Sequence, residues 1–260
     1  VKSKTKAEKK RLDVLLAERG LAESRQKAQG LILAGQVRVN GQKLEKAGAL
    51  VAADAGIELA GGNLRYASRG GLKLEGALEE FGVSATDKVC LDVGASTGGF
   101  TDCLLQHGAR RVFAVDVSID QLSWKLQQDP RVVRIERNAR NLRIADLGEA
   151  VELISMDVAF ISVAKVLPAV AAVAKPTAEF LILVKPQFEL ERADIGKGGI
   201  VRDPRLHERA IERGKAAAAQ AGLRVEGVRP SRLPGAEGNL EFFLHARFLR
   251  QPEAKKMSPG

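Results

Sequence analysis

The chain has 260 residues, 45% of them hydrophobic and 28% charged, with a formal net charge of +9 and a pI near 9.7. That length holds one large domain and one small one. Two cysteines do not make a disulfide framework, no His/Cys cluster has zinc spacing, and no apolar run reaches the ~20 residues of a membrane span. No metal site is therefore expected, and the chain reads as reduced and cytoplasmic, with no secretory signal in its basic start. The positive excess favours an anionic partner, nucleic acid or acidic membrane. It is uneven: residues 1–65 carry a net +6 and the rest +3.

Residues 1–10 read as a basic tail. Leu12, Leu15 and Leu16 make one face of a short helix that ends at Gly20. Ser24 is placed to cap a second helix with Ala28, Leu31 and Ile32 inside and Gly35 past its end. Val37-Arg38-Val39 alternates, Asn40-Gly41 is a hairpin turn, Gln42-Lys43-Leu44 begins the return, and residues 51–59 read as further strand. Arg11, Arg25, Lys27, Arg38 and Lys43 fall at polar positions, as a phosphate-facing surface or a solvated basic face would have them. The run RLDVLLAERGLAESRQKAQGLILAGQVRVNGQ closely resembles the small RNA-binding domain of the ribosomal protein S-four type, over residues 11–57. The resemblance implies docking on structured RNA through Arg11, Ser24, Arg25, Lys27 and Arg38, with Lys43 on the same hairpin. We place this domain at 11–60 and a linker at 61–66, where Gly61-Gly62-Asn63 breaks the pattern.

From Tyr66 onward strands alternate with helices, which predicts an α/β fold with a parallel sheet. Strands are expected at 88–93, 111–116, 131–135, 151–156 and 179–184, and a long helix at 204–221. Strands at 223–229 and 239–248 follow with no helix between them. A terminal antiparallel pair fits a seven-stranded, Rossmann-like methyltransferase sheet better than a dinucleotide fold. This domain is placed at 67–250, with a tail at 251–260.

The segment VCLDVGASTGGFTDCLLQHGARRVFAVDVS reads as a strand ending in Asp92, a glycine-rich turn, a helix, and a strand ending in Asp116. Asp116 is placed to accept hydrogen bonds from ribose hydroxyls. The turn, Gly94-Ala95-Ser96-Thr97-Gly98-Gly99-Phe100, has no G-x-G for a pyrophosphate and no Lys for a P-loop. Asp92 would repel a phosphate but attract a sulfonium or ammonium. S-adenosylmethionine carries both cations and no phosphate; NAD, or a turn without a ligand, are the other readings.

Four further residues stand out. Lys73 lies in SRGGLKL, before the first strand of the sheet. Asp157 ends a strand in ELISMDVAFIS, Lys185 ends the next in EFLILVKPQFE, and Glu241 lies in the apolar last strand, GNLEFFLHARF. Charges flanked by strand hydrophobes are costly unless paired, so structural ion pairs are the bland reading. Methyl transfer to a ribose 2′-hydroxyl needs a base. Lysine, with an ordinary pKa near 10.4, must be tuned to serve, and two lysines with two carboxylates can tune and orient one amine.

In this order the four match the Lys-Asp-Lys-Glu set of FtsJ-like RNA 2′-O-methyltransferases. Together with the S-four-type domain, LDVGASTGGFTD, DVAFIS, LVKPQFE and GKGGIVRDP, they make the chain resemble the TlyA family over about residues 11–248. The resemblance implies 2′-O-methylation of cytidine in 23S and possibly 16S ribosomal RNA with S-adenosylmethionine. Lys185 would be the general base, Asp157 and Lys73 would position, and Glu241 would hold the network. The 94–99 turn and Asp116 would bind the cofactor, with Asn138 near the adenine. The family's linker is aromatic-rich, and here Tyr66 is its one aromatic. GKGGIVRDP reads as a mobile loop that contacts RNA or cofactor through Lys197 and Arg202, or as a structural loop. The rivals are a non-catalytic ribosome-assembly factor, a small-molecule methyltransferase, and the membrane-active hemolysin that some family names suggest. The partner expected is ribosomal RNA within a ribosomal subunit, and the chain is expected to be a monomer.

Overall fold

The computed structural model describes residues 9–249 apart from 20, 23, 54, 60–64, 197, 236 and 237. The Gly20 helix end, the 61–63 linker, Lys197, residues 1–8 of the first tail and the tail at 251–260 lie outside the described residues. The chain divides into two compact units, residues 1–64 and 65–260.

In the first unit β1 (Lys9–Arg11) pairs antiparallel with β4 (Leu50–Ala52), so Lys9 and Lys10, expected in the tail, belong to a sheet. Helix α1 (Leu12–Glu18) buries Leu12, Leu15 and Leu16. In α2 (Arg25–Leu33) the Ser24 side chain accepts from the Lys27 amide at 3.2 Å, and Ala28 and Ile32 are buried. Strand β2 (Val37–Val39) lies between β3 (Gln42–Lys43) and β5 (Ile57–Leu59). Val37 and Val39 face inward and Arg38 outward, as the alternation requires.

In the second unit a seven-stranded sheet runs in the order β11-β12-β10-β9-β6-β7-β8. Its members are β6 (Val89–Val93), β7 (Arg111–Asp116), β8 (Val132–Glu136), β9 (Val151–Met156), β10 (Ala174–Val184), β11 (Leu223–Pro230) and β12 (Phe242–Phe248). Strands β6 to β10 are parallel, whereas β12 runs antiparallel to both of its neighbours. Helices α3 (Gly70–Phe81), α4 (Gly99–Gln106) and α5 (Trp124–Gln127) cover one face. Helices α6 (Ile144–Leu147), α7 (Leu167–Ala171) and α9 (Pro204–Gln220) cover the other. Short α8 (Pro186–Glu189) follows β10. The strands are apolar on both faces because both are covered.

Two strand boundaries of this sheet differ from expectation by more than one residue. Strand β10 begins at Ala174, and its pairing with β9 skips from Ala174 to Glu179, because Pro176 has no N–H to give the ladder. Strand β12 begins at Phe242, so Glu241 stands just ahead of the strand and not inside it. Asn239 holds the preceding residues out of the ladder: its buried side chain accepts from the Val201 amide and donates to the Gly199 carbonyl, both at 2.9 Å.

Candidate active site

The alternation of side chains along the strands decides which charges can meet. Leu153, Leu181, Leu183 and Phe243 point to the face covered by α3 and α4. Carried past the strand ends, the same parity puts Asp157, Lys185 and Glu241 on that face. The β10–β12 register, with Val184 opposite Phe242, sets Lys185 opposite Glu241 when continued by one residue. Lys73 comes from α3, above the same face. The structure thus gathers all four residues beyond the C-terminal ends of β9 and β10, as two ion pairs. Lys73 Nζ lies 2.6 Å from Glu241 Oε2, and Lys185 Nζ lies 2.5 Å from Asp157 Oδ1.

The two pairs differ. Glu241 is almost fully buried where it accepts from Lys73, whereas Asp157 keeps about a fifth of its side chain exposed beside Lys185. Gln187 Oε1, two residues beyond Lys185 in α8, is buried with no hydrogen-bond partner among the described residues. Buried polar atoms are paired in most proteins, so this oxygen marks a place where a polar ligand would complete the site.

Beside Asp157 a cavity of about 540 Å³ opens at the C-terminal ends of β6 and β7, lined by Gly94, Ser96, Asp116 and Asn138 among others. This is where open α/β sheets place ligands, and the size is that of a small-molecule site. Gly94 has φ of 85°, and a Cβ there would collide with the Asp157 carbonyl, so this glycine brings the turn against the strand that carries Asp157. Asp116 accepts from the Ser96 amide at 2.9 Å and the Ser118 amide at 3.0 Å, which leaves lone pairs on both oxygens for hydroxyls. The Asn138 side chain caps the turn at 139–141 by accepting from the Arg140 amide. A carboxylate, a carboxamide and the apolar walls of Val115, Val117 and Ile161 fit an adenosine-bearing cofactor.

Other residues expected at the cofactor do not line this cavity. Asp92 is fully buried on the α4 side of β6, where it accepts from the Thr101 hydroxyl at 2.6 Å and from Ser155 at 3.5 Å; burial pushes its carboxyl up to about 7. Ala95 and Phe100 are buried, and the Phe100 ring stacks on Phe243 with centroids 6.1 Å apart. The Thr97 carbonyl accepts from the Ser123 amide. Gly98 packs on Leu122 and Leu126, and Gly99 on Ser68 and the Gly71 amide, which lets α4 start close against α3. The turn therefore splits into a ligand-facing part, Gly94 and Ser96, and a packing part, Gly98 to Phe100.

Sequence reasoning missed Phe160. It is 92% exposed at the cavity mouth and holds φ of 63°, a region that residues with a Cβ rarely adopt. The available signal was an aromatic residue in a loop directly after a strand-end carboxylate. Tyr66, expected in the linker, is buried in the second unit, and its hydroxyl donates to Glu75 at 2.9 Å. The 196–204 segment is fastened at Val201, whose amide donates to Asn239 and whose carbonyl contacts His207 Nε2 at 2.9 Å. Arg202 is exposed.

In the first unit the buried Asp13 organises the basic surface. Arg11 grips both of its oxygens, at 3.0 and 2.9 Å, and Arg25 Nε donates to it at 2.9 Å. These arginines hold the Asp13 carboxyl well below the usual carboxylate range. Lys43 pairs with Glu45 at 2.5 Å, and Arg38 reaches the Gly41 carbonyl at 3.5 Å. Lys27 is exposed. The Ser24 oxygen is engaged in its helix cap.

The FtsJ-like methyltransferase model matches residues 66–248 and the S4 domain model residues 10–56. The chain belongs to the FtsJ-like methyltransferase family. S-adenosylmethionine is the methyl donor of this family. The 16S/23S rRNA (cytidine-2′-O)-methyltransferase TlyA of Mycobacterium tuberculosis is 45% identical to this FtsJ-like chain, over 93% of it and 91% of the relative. Hemolysin A of Brachyspira hyodysenteriae is 43% identical over 90% of the chain and 98% of the relative. A solved structure described as a hemolysin, from Streptococcus thermophilus, superposes with a TM-score of 0.74 at 42% identity, covering 95% of this chain and 91% of that one. No helix among the described residues is long and apolar enough to cross a membrane.

Proposed function

We propose that this methyltransferase acts on ribosomal RNA in the cytoplasm. It would transfer a methyl group from S-adenosylmethionine to a cytidine ribose 2′-hydroxyl, in 23S RNA and possibly 16S RNA. The observation that carries the reading is the meeting of Lys73–Glu241 and Lys185–Asp157 beyond the C-terminal ends of β9 and β10, beside a cavity bordered by Asp116. Bound in that cavity, S-adenosylmethionine supplies a methyl group on a sulfonium. The remaining chemistry belongs to the chain.

A 2′-hydroxyl becomes a useful nucleophile as its proton leaves, and Lys185 Nζ, once it has released the extra proton of its ion pair to solvent, takes that proton. Asp157, whose Oδ1 lies 2.5 Å from that nitrogen, balances the ammonium that results. Lys73, fixed by Glu241, holds a positive charge where negative charge grows on the ribose oxygen. Asp116 and Asn138 hold the cofactor's adenosine portion. The basic first unit supplies affinity for the RNA backbone through Lys27, Arg38 and the exposed edges of Arg11 and Arg25.

The experiment is transfer of labelled methyl groups to unmodified 30S and 50S subunits, with Lys185→Ala beside the wild type. Label in RNA with the wild type alone supports the reading, and the labelled particle names the substrate. Equal label with both proteins overturns the assigned base. Absence of label from both particles and from free ribosomal RNA, with cofactor bound, overturns ribosomal RNA as substrate.

A further inference from the structure

Asp157 opens the loop after β9, Lys185 leads from β10 into α8, and the two segments are joined at three levels. Asp157 pairs with Lys185. Three residues on along both segments, the Phe160 and Phe188 rings meet with centroids 5.3 Å apart. At the far end Glu189 Oε2 accepts from the Ser162 hydroxyl at 2.6 Å, and Glu189 Oε1 accepts from the Val163 amide at 2.8 Å. Arg213 of α9 donates to the Glu189 carbonyl, which ties this last level to the long helix.

The choice of residue at that level is informative. Glu189 is 6% exposed, and burial pushes its carboxyl up, so a carboxylate is an expensive way to close two segments that apolar packing could close. What it adds is direction. Its two oxygens grip two consecutive residues of the other segment and fix both position and rotation. Between that grip and the Asp157–Lys185 pair sits Phe160 with its unfavourable positive φ. Such a conformation persists only where the surroundings over-determine it.

We propose that Glu189 is a positioning residue for methyl transfer: by gripping Ser162 and Val163 it holds the loop after β9 against α8 and so sets where Asp157 stands against Lys185. The proposal rests on the reading of Lys185 and Asp157 as the reacting pair. It assigns Glu189 no contact with RNA or cofactor. Misplacement of reacting groups by about 1 Å can cost on the order of a hundredfold in rate.

The test compares Glu189→Ala, Glu189→Gln and Ser162→Ala with Lys185→Ala and the wild type, on the particle that accepts methyl groups. Four quantities are read: kcat, KM for RNA, Kd for S-adenosylmethionine, and melting temperature. Glu189→Ala is expected to lower kcat between about tenfold and a hundredfold, with KM and Kd within about twofold. Glu189→Gln is expected to recover to within about threefold of the wild type, because a carboxamide can accept from the Val163 amide and donate to the Ser162 oxygen. Ser162→Ala, which leaves the Val163 bond in place, is expected to lose a few-fold in kcat alone. If Glu189→Ala does not fold, Ser162→Ala decides the matter through the same kcat and KM split. Unchanged kcat in Ser162→Ala or in a folded Glu189→Ala, or a change confined to KM, overturns the proposal while an inactive Lys185→Ala leaves the site reading standing. An active Lys185→Ala instead removes the site reading, and the proposal with it.

Discussion

Asp157 Oδ1 lies 2.5 Å from Lys185 Nζ, and the two groups form an ion pair that stays open on the carboxylate side, where Asp157 is 21% exposed. Lys73–Glu241 is closed by comparison, with its carboxylate 3% exposed. The difference in burial divides the labour: one lysine is fixed as a charge and the other stands where a substrate hydroxyl can reach it. Lys185→Arg separates these roles, because arginine keeps the charge and the ion pair but cannot give up its proton in a protein. Methyl transfer by this variant is expected to fall at least a hundredfold, the scale of general-base catalysis, with cofactor Kd within about twofold. Single-turnover transfer and calorimetric titration measure the two. Retention of a tenth or more of the wild-type rate would limit Lys185 to an electrostatic role.

Much of this arrangement is legible in the sequence, for reasons that differ by residue. Lys185 and Glu241 stand out because a charge beside strand hydrophobes needs a partner, and the alternation of β10 and β12 then fixes the face on which each partner lies. Lys73 can be named from its motif, but nothing in its spacing reveals that α3 carries it to Glu241. The glycine turn reads as one ligand-binding unit, yet Gly98 and Gly99 serve helix packing, since sequence does not show which neighbour fills the space a Cβ would take. Glu189 is hidden for a related reason. A glutamate at the end of a one-turn helix reads as solvated unless the burial supplied by the loop after β9 is known.

Asp92 offers a pH test. Burial raises its folded-state carboxyl to about 7, against about 3.9 for an ordinary aspartate, so the fold favours the protonated form. The stabilisation that this proton confers is fully present below about pH 4 and is lost as pH rises through 7. Asp92→Asn removes the titration and keeps an acceptor for the Thr101 hydroxyl. The wild type is therefore expected to lose stability between pH 5 and pH 8 relative to the variant, by at most ~1.4 kcal/mol per pH unit. Denaturant unfolding at several pH values measures this. Parallel pH curves for the two proteins would show that Asp92 does not titrate in that window.

Ser24 and Lys27 both belong to the expected RNA surface, but the structure gives them different work. The Ser24 oxygen accepts from the Lys27 amide and so satisfies one of the open donors at the start of α2. The Lys27 side chain extends from the first turn of the same helix into solvent. Ser24→Ala is expected to destabilise the first unit by about 1 kcal/mol, the usual loss for such a cap, and to leave the salt dependence of RNA binding unchanged. Lys27→Ala is expected to leave the melting temperature within about a degree. It should weaken RNA binding at low salt several-fold and make the slope of log affinity against log salt shallower by about one phosphate contact. Binding titrations at three salt concentrations, with a melting curve for each variant, separate the two. A shallower slope for Ser24→Ala with an unchanged melting temperature would reverse the assignment. It would place the hydroxyl on RNA and leave the cap without a measurable part in stability.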